Sequence, residues 1–157
     1  MYIKTTNIKA IADKVKLHVN GKTALIFISE EMEIDVLELI KNLNERCVNF
    51  VGGIFPKVIS NHVIYDKGLV IGTIAEAVDS FIVKDLNSGN YNIPTVRLNE
   101  NTNYCAFTFV DGLSSNISDY LSELYKTFGS QLSYFGGGAG SISLQQKPCV
   151  FQLHWCQ

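Results

Sequence analysis

The sequence predicts an α/β domain, in which a mixed sheet is built from two strand–helix–strand repeats with intervening antiparallel strands and the helices pack on the sheet. Two patterns carry this prediction. Continuous apolar runs of strand length alternate with segments whose apolar residues recur at helical spacing, and the order strand, helix, strand, paired glycines occurs twice. The 157 residues, 46% hydrophobic and 18% charged, are sufficient for a single domain that buries one core.

The first repeat is predicted over about residues 7–84. Residues 7–18 place their apolar side chains on one helical face, and Asn20-Gly21 ends that segment. Thr23 to Ser29 is a continuous apolar run, which predicts a strand buried on both faces. Ser29 and the two glutamates after it are predicted to begin and cap the next helix, which runs to about residue 45. The apolar stripe of this helix is predicted to comprise Val36, Leu37, Ile40 and Leu43.

Shorter strands are predicted in the rest of the first repeat. Val48 to Val51 is predicted as a strand that Gly52-Gly53 breaks. Asp66-Lys67-Gly68 is predicted as a hairpin loop, because it separates two apolar runs and ends in glycine. The strands of that hairpin would be His62 to Tyr65 and Leu69 to Ile74, and Val78 to Lys84 would add a third antiparallel strand.

The second repeat is predicted over about residues 104–157, after a connection at residues 85–103. This connection is rich in Asn, Ser, Gly and Thr, which predicts a surface segment with one short strand near Val96. Tyr104 to Val110 is the predicted strand that follows, and Ser133 to Phe135 is predicted to lead into Gly136-Gly137-Gly138. Pro148 to Phe151 is predicted to begin a further strand. The helix between the two main strands is marked by Ile117, Tyr120, Leu121, Leu124, Tyr125 and Phe128.

The two repeats can be aligned by sequence. Ala24 to Ile28 matches Cys105 to Phe109 at an offset of 81 (105 minus 24). Phe50 to Gly53 matches Tyr134 to Gly137 at an offset of 84 (134 minus 50), so the second repeat carries about three extra residues between strand and helix. Internal duplication explains this pattern, and so does chance recurrence of a common strand–helix–strand arrangement.

The carboxyl ends of the predicted parallel strands form the candidate binding region, because ligands of open α/β sheets bind at that edge. Glycine there lets a carboxylate or phosphate approach backbone N–H groups closely. Asp111 lies directly at a strand end and is the residue predicted to face a ligand. The four segments that follow such strands are Ser29-Glu30-Glu31, Gly52 to Pro56, Asp111 to Asn116, and Gly136 to Ser141.

Each of these segments also has a structural interpretation. The glycines can serve tight turns or the close packing of two backbones. Ser115 or Asn116 is predicted to cap the following helix, with Asp119 complementing its dipole. Nucleotide binding by a phosphate loop is not expected, because no Gly-Lys-Ser/Thr helix start follows and Ser141 to Leu144 alternates like a strand.

Charge and hydropathy argue against nucleic acid and membrane partners. Fifteen acidic and 13 basic residues are scattered along the chain and give a net charge of −2, which leaves no basic stripe to bind phosphates. No apolar run approaches the roughly 20 residues that cross a bilayer. We therefore expect a cytoplasmic protein without membrane insertion.

The cysteines and histidines do not form a known catalytic or metal-binding pattern. The chain has four cysteines, Cys47, Cys105, Cys149 and Cys156. Three of them lie in apolar surroundings that suit buried thiols in a reducing compartment. Cys149, His154 and Cys156 offer three soft ligands, whereas a zinc site needs a fourth. His18, His62 and His154 adjoin no nucleophile in a known arrangement. We expect no metal, no cofactor and no catalytic residue, and the remaining enzyme hypothesis is a hydrolase that uses Cys105 or Cys149.

The second repeat resembles the amino-terminal domain of the FIST family. The resemblance rests on Ala106 to Leu113 (AFTFVDGL), followed by a helix and then by Tyr134 to Gly140 (YFGGGAG). In that family a strand ending in Asp-Gly leads to a helix and to a strand ending in Gly-Gly-x-Ala-Gly. Leu25 to Ser29 likewise resembles the first strand of the family.

The resemblance implies a bacterial input domain of signal transduction that binds small ligands such as amino acids and acts on signalling output domains or proteins. Many members carry a polar segment where this chain has Gly52 to Pro56, so the pocket lining would be more apolar here. The family continues beyond residues 149–157 into a carboxyl-terminal FIST domain, which we expect to be absent. A natural short form, a frameshift and a fragment would each explain this.

The sequence thus predicts a non-catalytic small-molecule sensing domain over residues 1–157. The alternative is an interaction or structural domain that packs on a missing carboxyl-terminal region or on a partner. The predicted ligand-binding residues are Gly52, Gly53, Phe55, Asp111, Gly112, Ser114, Gly136, Gly137, Gly138, Ala139, Gly140 and Ser141.

Overall fold

The computed structural model describes residues 1–75, 79–99 and 101–152. Within these residues lie three α-helices, α1 (Ile8–Val19), α2 (Val36–Glu45) and α3 (Ile117–Phe128). The strands of the same residues are β1 (Tyr2–Ile3), β2 (Thr23–Ser29), β3 (Phe50–Phe55), β4 (Val58–Ser60), β5 (Val63–Tyr65), β6 (Leu69–Ile74), β7 (Tyr104–Asp111), β8 (Leu132–Ala139) and β9 (Val150–Gln152). None of the described helices combines the length and apolar character that crossing a bilayer requires.

A five-stranded mixed sheet in the order β1-β6-β2-β3-β9 forms the centre of the molecule. The central strands β2 and β3 are parallel and are connected through α2, while β6, β1 and β9 add antiparallel pairings. The predicted α/β class with a mixed sheet is therefore confirmed. We refer to β2, α2 and β3 as the first unit.

The main core lies between this sheet and the helices α1 and α2. Ala24, Ile26 and Ile28 of β2 point to this side together with Phe50 of β3, and all four are at most 1% exposed. The helices contribute Ile11, Ala12, Val15, Val19, Leu39 and Leu43. Apolar burial on this scale is the main stabilising term of the fold.

The two helices of this core differ in how well the sequence predicted them. Helix α1 is confirmed: the Asn7 side chain accepts a hydrogen bond from the Ala10 N–H at 3.0 Å, and Asn20 ends the helix in a left-handed conformation. The predicted start of α2 at Ser29 is wrong, because Asp35 caps the helix. Ser29 is buried, and its hydroxyl donates a hydrogen bond to the Asp66 carbonyl. Leu37 is 78% exposed and does not belong to the buried stripe.

The strand pairings after β3 also differ from the prediction. Gly52-Gly53 does not break β3, which continues to Phe55. Strand β5 pairs with β4 through a turn at Asn61 and His62, both with positive φ, whereas β6 pairs with β2 and β1. The predicted hairpin around Asp66-Lys67-Gly68 is therefore wrong. Residues 79–84 form no strand, and Val78 lies outside the described residues.

The second unit comprises β7, α3 and β8, and its two parallel strands form a separate two-stranded sheet. Tyr120, Leu124 and Phe128 of α3 pack on Val110 in a smaller core. The connection at residues 85–103, which was predicted to lie on the surface, contributes to this core. It buries Leu86, which lies in a 3₁₀ turn, and Tyr91. The predicted strand near Val96 does not form.

Strand register corrects the alignment of the two units. In β2 and β3, Ala24 pairs with Phe50, and in β7 and β8, Ala106 pairs with Tyr134. The first strands therefore match at an offset of 82 (106 minus 24), not 81, while the second strands keep the offset of 84 (134 minus 50). The predicted offset was wrong by one residue, and a slip of one residue turns every side chain to the other face of a strand.

Candidate functional site

The carboxyl ends of the four parallel strands lie next to one another. Within the first unit, the Glu30 N–H donates to the Phe55 carbonyl at 2.8 Å, and within the second, the Gly112 N–H donates to the Ala139 carbonyl at 2.9 Å. The two units are joined by the Gly140 N–H, which donates to the Ile54 carbonyl at 2.9 Å. The four segments that the sequence placed at one edge thus meet, although the strands belong to two sheets.

An aromatic contact supports this meeting of the units. The ring of Phe109 lies 5.6 Å from that of Phe27 and 5.9 Å from that of Phe55, in edge-to-face orientations. Phe27 and Phe55 are themselves 5.6 Å apart. Phe55, a predicted site residue, is therefore part of the packing between the two sheets.

Asp111 ends β7 and has hydrogen-bond partners within the chain. Its Oδ1 accepts from the Leu113 N–H at 3.0 Å, which shapes the turn, and its Oδ2 accepts from Nε2 of Gln146 at 2.8 Å. The Ser114 N–H donates to the Asp111 carbonyl at 3.1 Å. The carboxylate remains partly exposed and can accept a further hydrogen bond.

The turn at residues 140–144 follows β8 and binds a carboxylate of the first unit. The Ser141 hydroxyl donates to Oε1 of Glu30, and the Ile142 N–H donates to Oε2 at 2.7 Å. The hydrogen bond from Ser141 lowers the pKa of Glu30, and the Ile142 N–H and the charge of Lys147 act in the same direction. The predicted strand alternation over Ser141 to Leu144 is wrong, since these residues form a turn.

Five of the predicted site glycines lie inside strands, and three of these serve close backbone packing. A Cβ on Gly52 would lie 2.3 Å from the Ile26 carbonyl oxygen, and one on Gly136 would lie 1.8 Å from that of Thr108. Gly53 faces the Cys149 carbonyl, which would be 3.1 Å away. Because a Cβ at each of these three positions would lie close to a backbone carbonyl, the structural interpretation applies to them.

The remaining glycines lie nearer the end of β8. A Cβ on Gly138 would be 3.3 Å from Cα of Gly112, whereas one on Gly137 would meet no described heavy atom within 4 Å. Gly140 has a φ of +144°, which an L side chain rarely adopts. Space for an added group therefore exists at Gly137.

A cleft of about 810 Å³ separates the two sheets. Its walls come from β3, β7, β9 and residues 79–86, and they include Val51, Phe107, Phe109 and Phe151. Three predicted site residues, Gly52, Asp111 and Ser114, line it. Asp111 thus connects the cleft to the edge where the strands end.

The structure also locates the groups considered for catalysis. Cys47 and Cys105 are exposed, contrary to the expectation of buried thiols, while Cys149 is buried and Cys156 lies outside the described residues, as does His154. Burial, with the charge of Asp111 second, raises the pKa of the Cys149 thiol, which disfavours the reactive thiolate. Among the described side chains, no three His, Cys, Asp or Glu are grouped so as to hold a metal ion.

The segment after Asp111 differs from the predicted cap. Asn116 occupies the cap position of α3 without a side-chain bond to the helix. The Ser115 hydroxyl instead donates to Oδ1 of Asn87 at 2.9 Å, and Nδ2 of Asn116 donates to the Asn87 backbone carbonyl at 3.2 Å. Asp119 does lie in the first turn of α3, as predicted.

Two residues of this edge were not predicted as site residues. Glu30 was included in a segment after β2 but was assigned to helix capping, and Gln146 carried no signal at all. The position of Glu30 directly after a buried strand is the signal that could have identified it.

Comparison with known protein families gives a match over most of the chain. A model of the FIST N domain family matches residues 22–154, which includes both units and the described part of the connection between them. No curated protein and no solved structure matches the chain significantly. Because the match covers most of the sequence, this chain belongs to the FIST N domain family, a sensory and non-catalytic family of signal transduction.

Proposed function

We propose that this chain is an intracellular input domain that senses a small, amino-acid-like molecule. The observation that carries the proposal is the meeting of the two units at the carboxyl ends of their parallel strands, beside a cleft of about 810 Å³. Sites of this kind, concave, largely apolar and with a few polar groups at one end, are typical of small-molecule binding.

The chemistry of the cleft suits a ligand with an ammonium group and an apolar part. Asp111 supplies a partly exposed carboxylate that can accept from the ammonium group. Val51, Phe109 and Phe151 supply apolar wall for the rest of the ligand. A ligand that contacts both units would change how they pack, and a signalling output domain or protein would detect that change.

A thermal-shift screen of the twenty amino acids and related small anions tests the proposal. We expect at least one compound to raise the melting temperature, because ligand binding to the folded state stabilises it. Asp111→Ala removes the carboxylate, and Gly137→Val adds a branched side chain on the strand position next to Phe109, a wall residue of the cleft, so both variants should lose the shift.

Matched controls separate loss of binding from loss of fold. Asp119→Ala removes an acidic residue of α3, and Gly137→Ala adds only one methyl group where no described atom is close; both should keep the shift. A well-folded wild-type protein that responds to no compound would contradict the proposal, as would a full shift in Asp111→Ala.

A second candidate, a non-catalytic interaction domain, is favoured by one observation. Phe107 and Phe135 stack at 5.9 Å on the two-stranded sheet while 44% and 57% exposed. An exposed aromatic pair of this kind suits contact with a further protein region. Sedimentation velocity would test this: self-association that Phe135→Ser abolishes supports an interaction surface, and a monomer at all concentrations argues against self-association through it.

A further inference from the structure

The Glu30 carboxylate is bound much as a free anion would be. Its two oxygens accept from two different donors, the Ser141 hydroxyl and the Ile142 N–H, which are more than a hundred residues away in the chain. The Ser141 hydroxyl lies 2.6 Å from that of Ser143 and accepts from the Ser143 N–H at 3.1 Å. A hydroxyl and a backbone N–H converging on one carboxylate make a small anion-binding turn.

Backbone hydrogen bonds hold the turn at residues 140–144 and the segment around Glu30 in place, independently of the Glu30 side chain. The Glu30 N–H is bonded to the Phe55 carbonyl, and the Gly140 N–H is bonded to the Ile54 carbonyl. Both segments are therefore anchored to the end of β3 whether or not the Glu30 carboxylate is present. Ile142 is 54% exposed and Glu30 is partly exposed, so a small ion can reach the turn from solvent.

We propose that the Glu30 carboxylate occupies a subsite that takes the carboxylate of the ligand. An α-amino acid or similar small carboxylate binds there by displacing the Glu30 side chain. The inference rests on the proposed function for the identity of the ligand, whereas the subsite itself can be probed with a simple anion. Displacement breaks the side-chain link between Glu30 and the turn at 140–144. The ligand would thereby change the contact between the two units at the point where it binds.

Acetate is the probe for the subsite, and the backbone amides of Ile142 and Ser143 are the reporters in a ¹⁵N NMR titration. Glu30→Ala removes the competing carboxylate, so acetate should shift the resonances of these amides. The acetate affinity should be about tenfold or more above that of the wild type, because acetate no longer competes with the charge-assisted hydrogen bonds of Glu30. Methylammonium chloride at matched ionic strength should move neither amide in either protein.

Further variants separate the subsite from general effects of charge and folding. Glu31→Ala removes the neighbouring carboxylate, which makes no hydrogen bond to a described residue, and should behave as the wild type. Glu30→Gln keeps an oxygen that can accept from the Ile142 N–H, so it should gain less than Glu30→Ala and serves if the latter does not fold. Adding Ser141→Ala to Glu30→Ala should remove most of the gain.

The outcomes distinguish this inference from the proposed function. Equal acetate affinities in the wild type and Glu30→Ala, or no response of Ile142 in Glu30→Ala and Glu30→Gln, would overturn the subsite. If acetate binds Glu30→Ala at Ile142 while no amino acid stabilises the wild type, the subsite stands and the sensor proposal fails. If an amino acid binds the wild type and Glu30→Ala equally without moving Ile142, the sensor proposal stands and this inference fails.

Discussion

The two strand–helix–strand units have the same local geometry but different surroundings. In each, a glycine of the second strand lies against a carbonyl of the first, Gly52 against Ile26 and Gly136 against Thr108. In the first unit these strands lie within a five-stranded sheet, whereas the strands of the second unit pair only with each other among the described residues. The same pattern therefore specifies the unit, and the neighbouring elements decide how much of it is buried.

This difference assigns different roles to the units. The first unit lies in the main core and contributes half of the fully buried side chains, including Phe50 at 1% exposure. In the second unit Phe107 and Phe135 are about half exposed, and the core beneath α3 is smaller. Regions with fewer buried contacts open at lower free energy, so the second unit is the side of the molecule that a ligand or partner can most readily change.

The largest expected effect is a difference in the free energy of unfolding between two phenylalanine-to-alanine variants, one in each unit. Phe50→Ala should lower the free energy of unfolding by about 3–5 kcal/mol, because it leaves a cavity beside Phe151 in the main core. Phe107→Ala should lower it by about 1 kcal/mol or less, since its ring is 44% exposed. Urea denaturation of both variants measures the difference. Equal losses would show that the second unit is as tightly packed as the first.

Added methyl groups test the shared geometry of the units. Gly52→Ala and Gly136→Ala should each cost about 1–3 kcal/mol or more, because the Cβ would overlap the carbonyl of Ile26 or Thr108. Gly137→Ala, with space around it, should change stability by about 0.5 kcal/mol or less. Thermal unfolding of the three variants provides the measurement. A tolerated alanine at position 136 together with a destabilising one at 52 would mean that the units differ even locally.

The sequence predicted the elements whose signals are local. Helix α1 and strand β2 were found with nearly correct ends because α1 has a clear apolar period followed by Asn20-Gly21, and β2 is a continuous apolar run of strand length. The turn between β4 and β5 was missed because Asn61 and His62 adopt positive φ without any glycine. Hairpin pairing was then assigned to the wrong neighbour.

Features of the site that depend on distant partners could be predicted only in outline. The rule that parallel strands place their carboxyl ends at one edge correctly brought Asp111 and Ser141 to the same region. It gave no information about which carboxylate would bind Ser141, because Glu30 is separated from it by more than a hundred residues. The mid-strand glycines were assigned to loops because sequence alone does not distinguish a turn from a close approach of two backbones.

The smallest expected effect is on pH dependence, and it tests whether the link between the units contributes to stability. The pKa of Glu30 is lowered from its ordinary value near 4.5 in the folded chain, so its contribution is complete above that value and is lost as the pH falls through the lower folded pKa. Glu30→Gln should therefore lose less stability on acidification than the wild type, by a small amount because the group is exposed. Urea midpoints measured between about pH 6 and pH 3 give the comparison. Parallel pH profiles for the two proteins would mean that Glu30 contributes no net stability, even though its carboxylate binds Ser141 and Ile142 in the folded structure.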